Sequence, residues 1–553
     1  MHHVAIEILL LLLIGSVVGI VARRWKVPYT LMLVIVGIGL GFVHFEQFDA
    51  FQLNADVLFT FLLPALLFEA AYHLQFKDFY KNKLPILTLA IPGVLIAVAV
   101  TTVLVKGLIG DTGLRPEFGW AHAALFAAVI AATDPISVLA LFKELGVPKR
   151  LYLMVEGESL VNDGVAVVVF IIVAAVFAVD VGHGGGHHAV HGLGEIALFG
   201  FKTFIWMAGM GVLIGAIAGT VATSLMRQFD DHLVEITLTT VVAYGSFLLA
   251  EELHASGVLA TVTAGIVLGS FGTRFGMSTT TRLAVEDFWE YMAFAANTFV
   301  FLLVGLQLEV TALAQDVVPI LLGFVAMLIG RAVAVYGLIP VTRLDVKPVS
   351  LQYGHVLVWG GLKGSLSMVL ILGVSQDFAG SELLVRLVFG VVSASLFMQG
   401  LTIKPLLRRL SLSGDASEED IAVDVQRAQV IANIQALQRL EMMLKEGLVD
   451  DESGMRARSW YQQSLQHAQN RVGQLLAQEK LNALARDRSL ATQLIDVERE
   501  AIRHASRRGE VSRVASHRAL AQLDVRLESL ENGPAVLSES HSVFAKKTEG
   551  ESS

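Results

Sequence analysis

One hydrophobic segment in the first third of the chain reads Glu156-Gly157-Glu158-Ser159-Leu160-Val161-Asn162-Asp163-Gly164 and runs directly into Val165-Ala166-Val167-Val168-Val169-Phe170. A carboxylate about ten residues into a spanning helix lies roughly 15 Å deep at 1.5 Å per residue, near the centre of a hydrocarbon layer about 30 Å thick. Ionisable groups at that depth are costly, so a chain that keeps them must turn them toward one another or toward water. The rest of the composition agrees with a membrane setting: 54% of the 553 residues are hydrophobic and only 16% are charged, with a mean hydropathy of +0.63. The expected class is an all-α polytopic membrane protein, because a helix satisfies its own backbone polar groups in lipid.

Composition also excludes several functions. There is no Cys, so neither a disulfide framework nor a thiolate metal site can form. A net charge of -9 without a basic patch gives no support to nucleic-acid binding. An intramembrane hydrolase needs a nucleophile and a base, and Ser159 has no histidine at its depth. No enzyme activity is expected and no cofactor motif appears.

Hydrophobic windows give about thirteen spans, beginning near residues 5, 30, 57, 84, 121, 152, 197, 233, 257, 288, 316, 351 and 383. Loops after the odd spans hold Arg23, Arg24 and Lys26, then Lys77, Lys81 and Lys83, then Lys143, Lys149 and Arg150, with Arg227, Arg274, Arg282, Arg343, Lys347, Lys404, Arg408 and Arg409 further on. By the positive-inside rule these loops are cytoplasmic, the amino terminus is outside and the carboxyl terminus inside, in a cell (plasma or inner) membrane. The first span, followed at once by Arg23-Arg24-Trp25-Lys26, reads as an uncleaved anchor. His183, His187, His188 and His191 lie among glycines in an outer loop, where a flexible loop is a better reading than a metal site.

Spans one to six start outside and spans eight to thirteen start inside, the arrangement of two six-helix inverted repeats joined by an extra span. The fifth and twelfth spans both contain helix breakers at mid-depth. In the fifth, Thr133-Asp134-Pro135 removes a backbone donor and disfavours helix at Asp134. In the twelfth, Gly360-Gly361-Leu362-Lys363-Gly364 lowers the cost of unwinding. Paired interruptions of this kind point to an ion site at the midplane.

Depth brings Glu69, Asp134, Asp163, Arg331 and Lys363 to the same layer, each roughly 15 to 21 Å from the start of its span. On the sixth helix Ser159, Asn162 and Asp163 share a face and are expected to line one polar cavity, while Glu158 points about 100° away from Ser159 and suits an ion pair with Arg331. Glu156 and His73 fall near span ends, where a solvated interface is expected. Carboxylates, hydroxyls and freed carbonyls suit a small hard cation, and the same carboxylates take up protons when the cation leaves. Competition of cation and proton for one site is a complete exchange mechanism; a channel is the rival reading.

The strings Ala132-Thr133-Asp134-Pro135, Glu156 to Gly164, Gly330-Arg331 and Trp359-Gly360-Gly361-Leu362-Lys363-Gly364 resemble the sodium/proton antiporters of the first cation/proton antiporter family, the group of the NhaP and NHE exchangers. The resemblance covers about residues 5 to 410. It implies a thirteen-helix exchanger of Na+ (or Li+) for H+ in the lipid bilayer, a homodimer, and elevator-like alternating access, with K+/H+ exchange as the alternative. It implies Asp163 as the main cation and proton carrier, with Ser159, Glu69 and the backbone of Thr133 as further Na+ ligands. Asp134 would support the site, Asn162 would be a hydrogen-bonding neighbour, and Glu158 would pair with Arg331. The Asn162-Asp163 pair implies electroneutral exchange, since relatives with two aspartates there are the electrogenic ones. The family commonly has Arg where this chain has Lys363, a residue that can lose its proton.

Residues 1–410 thus form the expected exchanger domain and 411–531 a polar helical cytoplasmic region. Its amphipathic helices are expected over 419–447, 454–482 and 487–530, with Leu437, Leu440 and Leu444 on one stripe. A regulatory role and a plain solvated tail are both open for it. Residues 532–553 have the composition of a disordered tail.

Overall fold

The structure is a computed structural model that describes residues 2–25, 28–42, 58–181, 193–228, 231–273, 277, 279–307, 310–344, 348–412, 418–445, 448, 450–478, 494–495, 497–503, 505–506 and 511–532. The glycine-flanked histidines 183, 187, 188 and 191 and the tail after residue 532 lie outside the described residues. The chain divides into two compact units, Met1–Asp415 and Ala416–Ser553. The described residues are helical, with no strand among them.

Among the described residues of the first unit, seven helices are long and apolar enough to cross a membrane: Ile8–Trp25, Lys83–Asp111, Lys149–Val176, Gly194–Met226, His232–Glu252, Val317–Thr342 and Ser381–Arg409. Shorter apolar helices include Tyr29–Gly41, Phe59–His73, Trp120–Ala131 and Gly257–Gly272. The helix His2–Trp25 exposes an apolar side: Leu9, Leu13, Val17 and Ile20 are all more than half exposed. Helix starts are marked as the sequence chemistry demands. Asp231 accepts from the Leu233 N–H at 2.8 Å, and Ser350 accepts from the Tyr353 N–H at 3.2 Å. The helices Tyr29–Phe42 and Thr279–Gln307 meet through Gly37 and Gly305, where a Cβ at either would come within 2.5 Å of the other helix's backbone carbonyl.

Eight helices position the polar centre: α1 (Leu63–His73), α2 (Trp120–Ala131), α3 (Ile136–Glu144), α4 (Lys149–Val176), α5 (Val317–Leu338), α6 (Leu351–Trp359), α7 (Ser365–Leu372) and α8 (Ser381–Arg409). Helix α4 carries the Glu156 to Gly164 run. It is enclosed by protein rather than lipid, with Val165, Ala166, Val167 and Val168 all buried. This enclosure explains how a helix with three carboxylates remains a helix at membrane depth: its charges face protein and a cavity.

Chain breaks fall where the sequence places its breakers. Helix α2 stops at Ala131 and α3 starts after Pro135; α6 stops at Trp359 and α7 starts after Gly364. The two unwound segments touch, the Asp134 N–H donating to the Leu362 carbonyl at 2.8 Å. Non-helical backbone is tolerated at this depth only because protein, not lipid, surrounds it.

The second unit contains Glu418–Lys445, packed against Asp451–Gln478, and Arg513–Asn532. Leu444 lies over Gly454, where a Cβ would fall 2.3 Å from its Cδ2. The expected continuous helix over 487–530 is not formed. Val511 and Ser512 are non-helical, and the Ser512 hydroxyl accepts from the Ala515 N–H at 3.3 Å, starting a separate helix.

Candidate functional site

The site is assembled where α4 passes the two breaks. The Thr133 N–H, released from the α2 ladder, donates to Asp163 Oδ1 at 3.2 Å. The Thr133 hydroxyl donates to Ser159 Oγ at 3.1 Å and accepts from Asn162 Nδ2 at 2.9 Å. Asn162 also donates to the Ala131 carbonyl at 3.1 Å, so it caps the broken end of α2. Asp134 turns its carboxylate back on its own chain, Oδ1 accepting from the Ile136 N–H at 2.9 Å. A Cβ at residue 364 would fall 2.2 Å from the Asp134 Cβ, so glycine is needed for the second break to pass the first.

Lys363 reaches the same carbonyl as Asn162, with Nζ 3.4 Å from Ala131 O, and is 2% exposed. The break around it is held from α8. Ser395 Oγ accepts from the Lys363 N–H at 3.1 Å and bonds to Gln399, whose Nε2 donates to the Trp359 carbonyl at 3.0 Å. Sequence reading missed Ser395 and Gln399. Their spacing of four residues in the last span was the available signal, since two polar residues at that interval share a helix face.

Glu158 is 1% exposed and forms a bidentate pair with Arg331, at 2.8 and 2.9 Å. The guanidinium also donates to the Leu357 carbonyl at 3.2 and 3.0 Å, tying α4, α5 and α6 together. Each charge is therefore paired and hydrogen-bonded, the condition under which a buried pair is tolerated.

A cavity of about 400 Å³ leads to the breaks, and Thr133, Asp134 and Asp163 line its inner end. Leu160 and Glu156 line the same wall along α4, and Glu69, His73, Lys143 and Glu290 line it from other helices. Two expectations are corrected here. Of Ser159, Asn162 and Asp163, only Asp163 lines the cavity; the other two are turned toward the unwound segment, because the cavity faces the 156, 160, 163 stripe and 3.6 residues per turn carries 159 and 162 to its side. Glu156 is not at a solvated interface but 6% exposed within the cavity wall, whereas its cavity neighbour His73 is exposed and lies 3.4 Å from Glu69. Lys363 and Arg331 line a separate void of about 20 Å³. Glu69, at 23% side-chain exposure, lines the cavity with Asp163.

Two broken helices around carboxylates at the end of a cavity, inside a bundle of apolar spans, define an ion-coupled membrane transporter. Comparison with known proteins makes this specific. A family model described as the transmembrane part of the sodium/hydrogen exchanger matches residues 8–409, and the chain belongs to that family. It is 39% identical over 417 residues to the Na(+)/H(+) antiporter ApNhaP of Aphanothece halophytica, covering 75% of each chain. It is 38% identical to the Na(+)/H(+) antiporter NhaG of Bacillus atrophaeus, covering 75% of this chain and 76% of that one. With the Na(+)/H(+) antiporter NhaH of Halobacillus aidingensis it shares 36% identity over 74% of this chain and 99% of that relative. Its fold is similar to the solved sodium proton antiporter MjNhaP1 from Methanocaldococcus jannaschii, with a TM-score of 0.58, 16% identity, and coverage of 75% of this chain and 98% of that one.

Proposed function

We propose that this multi-pass membrane protein is a secondary active antiporter that exchanges Na+ for H+ by alternating access. One observation carries the reading: Asp163 lines the cavity with a single backbone N–H on one oxygen and, among the described residues, no other hydrogen-bond partner on its remaining lone pairs. A carboxylate has about four acceptor sites, so the free ones can take either a cation or a proton. The Thr133, Ser159 and Asn162 network fixes its surroundings, and Asp134 and Glu69 add oxygens from the cavity wall. The antiporters it resembles are named for Na+ and H+, which favours Na+ over K+ as the exchanged ion; Li+ would suit the same hard oxygens.

The cavity is lined by Lys143 in the last turn of α3, one of the basic residues that the positive-inside rule assigns to the cytoplasmic side. The geometry therefore supports an inward-open state, with the amino terminus outside and the carboxyl terminus inside a plasma or inner membrane. The helix pattern is consistent with thirteen crossings in two inverted repeats, broken in the fifth and twelfth, and the fold with a homodimer. Asn162 cannot ionise, which supports an electroneutral one-for-one cycle. The unit from residue 416 onward is accessory, because the site residues all precede it.

Dequenching of a pH-sensitive dye in acidified everted vesicles, on adding Na+, Li+, K+ or Ca2+ salts one at a time, tests this reading. Na+ is expected to release the quench, and K+ and Ca2+ are not. A response to K+ alone, or none to Na+, overturns it.

A further inference from the structure

Glu156 is a second carboxylate of α4 that faces the cavity. It lies seven residues before Asp163, close to two full turns, so the two project from one side of the helix with an axial separation of about 10 Å. Leu160 fills the wall between them. Glu156 is 6% exposed, yet among the described residues it has no ion-pair partner, and its one hydrogen bond comes from the Tyr152 hydroxyl at 3.4 Å. Glu158 on the same helix is the contrast: where a carboxylate only has to hold helices together, this protein gives it a bidentate arginine.

A carboxylate so placed is costly unless something from the cavity serves it. The cations facing this stretch act on it only at a distance, and among the described residues none pairs with it directly. His73 is engaged with Glu69 at 3.4 Å, Lys143 stands at the exposed rim with Nζ 5.8 Å from the Tyr152 ring centre, and Glu290 is an exposed carboxylate of like charge. We propose that Glu156, with the Tyr152 hydroxyl as a second oxygen, is an outer station for the monovalent cation, holding the partly hydrated ion two helical turns before Asp163. The inference rests on the exchange reading above. Its chemical sense is that water is stripped from a hard cation in two stages, each replaced by oxygen ligands, rather than in one.

The test measures initial 22Na+ uptake against Na+ concentration in proteoliposomes holding the full chain, at constant ionic strength, for wild type, Glu156→Gln, Tyr152→Phe and Glu290→Gln. Glu156→Gln keeps the side-chain shape; its KM for Na+ is expected to rise about tenfold with the maximal rate within about twofold, the pattern of lost ground-state binding. Tyr152→Phe removes only the second oxygen, and an increase in KM of about threefold is expected. Glu290→Gln removes an equal charge from the rim without removing a ligand, and its KM is expected to stay within about twofold of wild type. An unchanged KM in Glu156→Gln, or a lower maximal rate with KM unmoved, makes Glu156 a packing residue and overturns the proposal. An equal rise in Glu290→Gln reduces the effect to the general field and overturns it too. If Glu156→Gln does not insert, Tyr152→Phe decides alone, and an unchanged KM there is fatal. Wild type that takes up no Na+ against a proton gradient sinks the exchange reading instead, so the two failures are distinguishable.

Discussion

Glu158 and Asp163 stand on one helix, some 140° apart around its axis at 3.6 residues per turn, and the protein treats them in opposite ways. Glu158 accepts two hydrogen bonds from Arg331, with Asn162 Nδ2 3.5 Å from the same carboxylate. Asp163 accepts one backbone N–H and faces a cavity. Glu158 is 1% exposed, whereas Asp163 is half-buried at the cavity wall. What separates scaffold from site is also what the acceptor positions meet: a carboxylate gripped by a bidentate arginine holds helices together, and one that takes a single N–H and faces a cavity can still bind.

The sharpest break of that comparison is Asp163→Asn. It leaves size and packing nearly unchanged and removes the group that alternates between cation and proton, so exchange should vanish while the protein inserts and elutes normally. Robust exchange by the purified variant would falsify the carrier role.

Next in size is the arginine-paired side. Glu158→Ala or Arg331→Ala leaves one buried charge unpaired and should each cost about 3–5 kcal/mol, read as a loss of yield or melting temperature. A double-mutant cycle should give strong coupling; simple additivity would mean that the two residues do not act as a pair.

A buried carboxylate away from the breaks tests the comparison further. Asp316, just before α5, is 1% exposed and pairs with Arg115 and Arg386. Burial pushes its carboxyl up, but the Arg386 and Arg115 guanidiniums outweigh this and hold it below the ordinary aspartate value. A depressed folded-state pKa gives stability that is full above about pH 4 and is lost as pH falls toward the lowered value. Asp316→Ala should therefore destabilise the protein at pH 7 by about 1–3 kcal/mol, read as a lower melting temperature, and its gap from wild type should narrow as the pH falls below the ordinary aspartate value. A gap independent of pH would show that packing, not charge, is what Asp316 contributes.

Deleting residues 416–553 should leave exchange detectable, since both classes of carboxylate lie before the cut. Complete loss in a truncated protein that still inserts would give the second unit an essential part. The smallest expected effect is none at all. With Asn162 beside Asp163, one cation replaces one proton, and the end point of Na+-driven pH change should be equal at zero and at large imposed potential. A transferred charge would instead couple at about 2.3 kcal/mol per 100 mV and shift that end point.

The sequence carried the parts of this protein that depend on local chemistry. Proline after Asp134 and the glycines around Lys363 specify where helices stop, because missing donors and backbone freedom act within a few residues. Apolar run lengths mark the long apolar helices found among the described residues, and the 3.6-residue period separates Glu158 from Asp163. What the sequence could not decide is which stripe of α4 meets open space. That choice depends on how α1, α3 and the breaks pack around it. It turned Ser159 and Asn162 to the unwound backbone, left Asp163 facing the cavity, and buried Glu156, which by position alone reads as solvated. The tertiary structure likewise brought Ser395 and Gln399 of α8 to the second break and joined the two breaks through Asp134 and Leu362. Those contacts link residues far apart in the chain, and periodicity, which reports only on neighbours along one helix, does not record them.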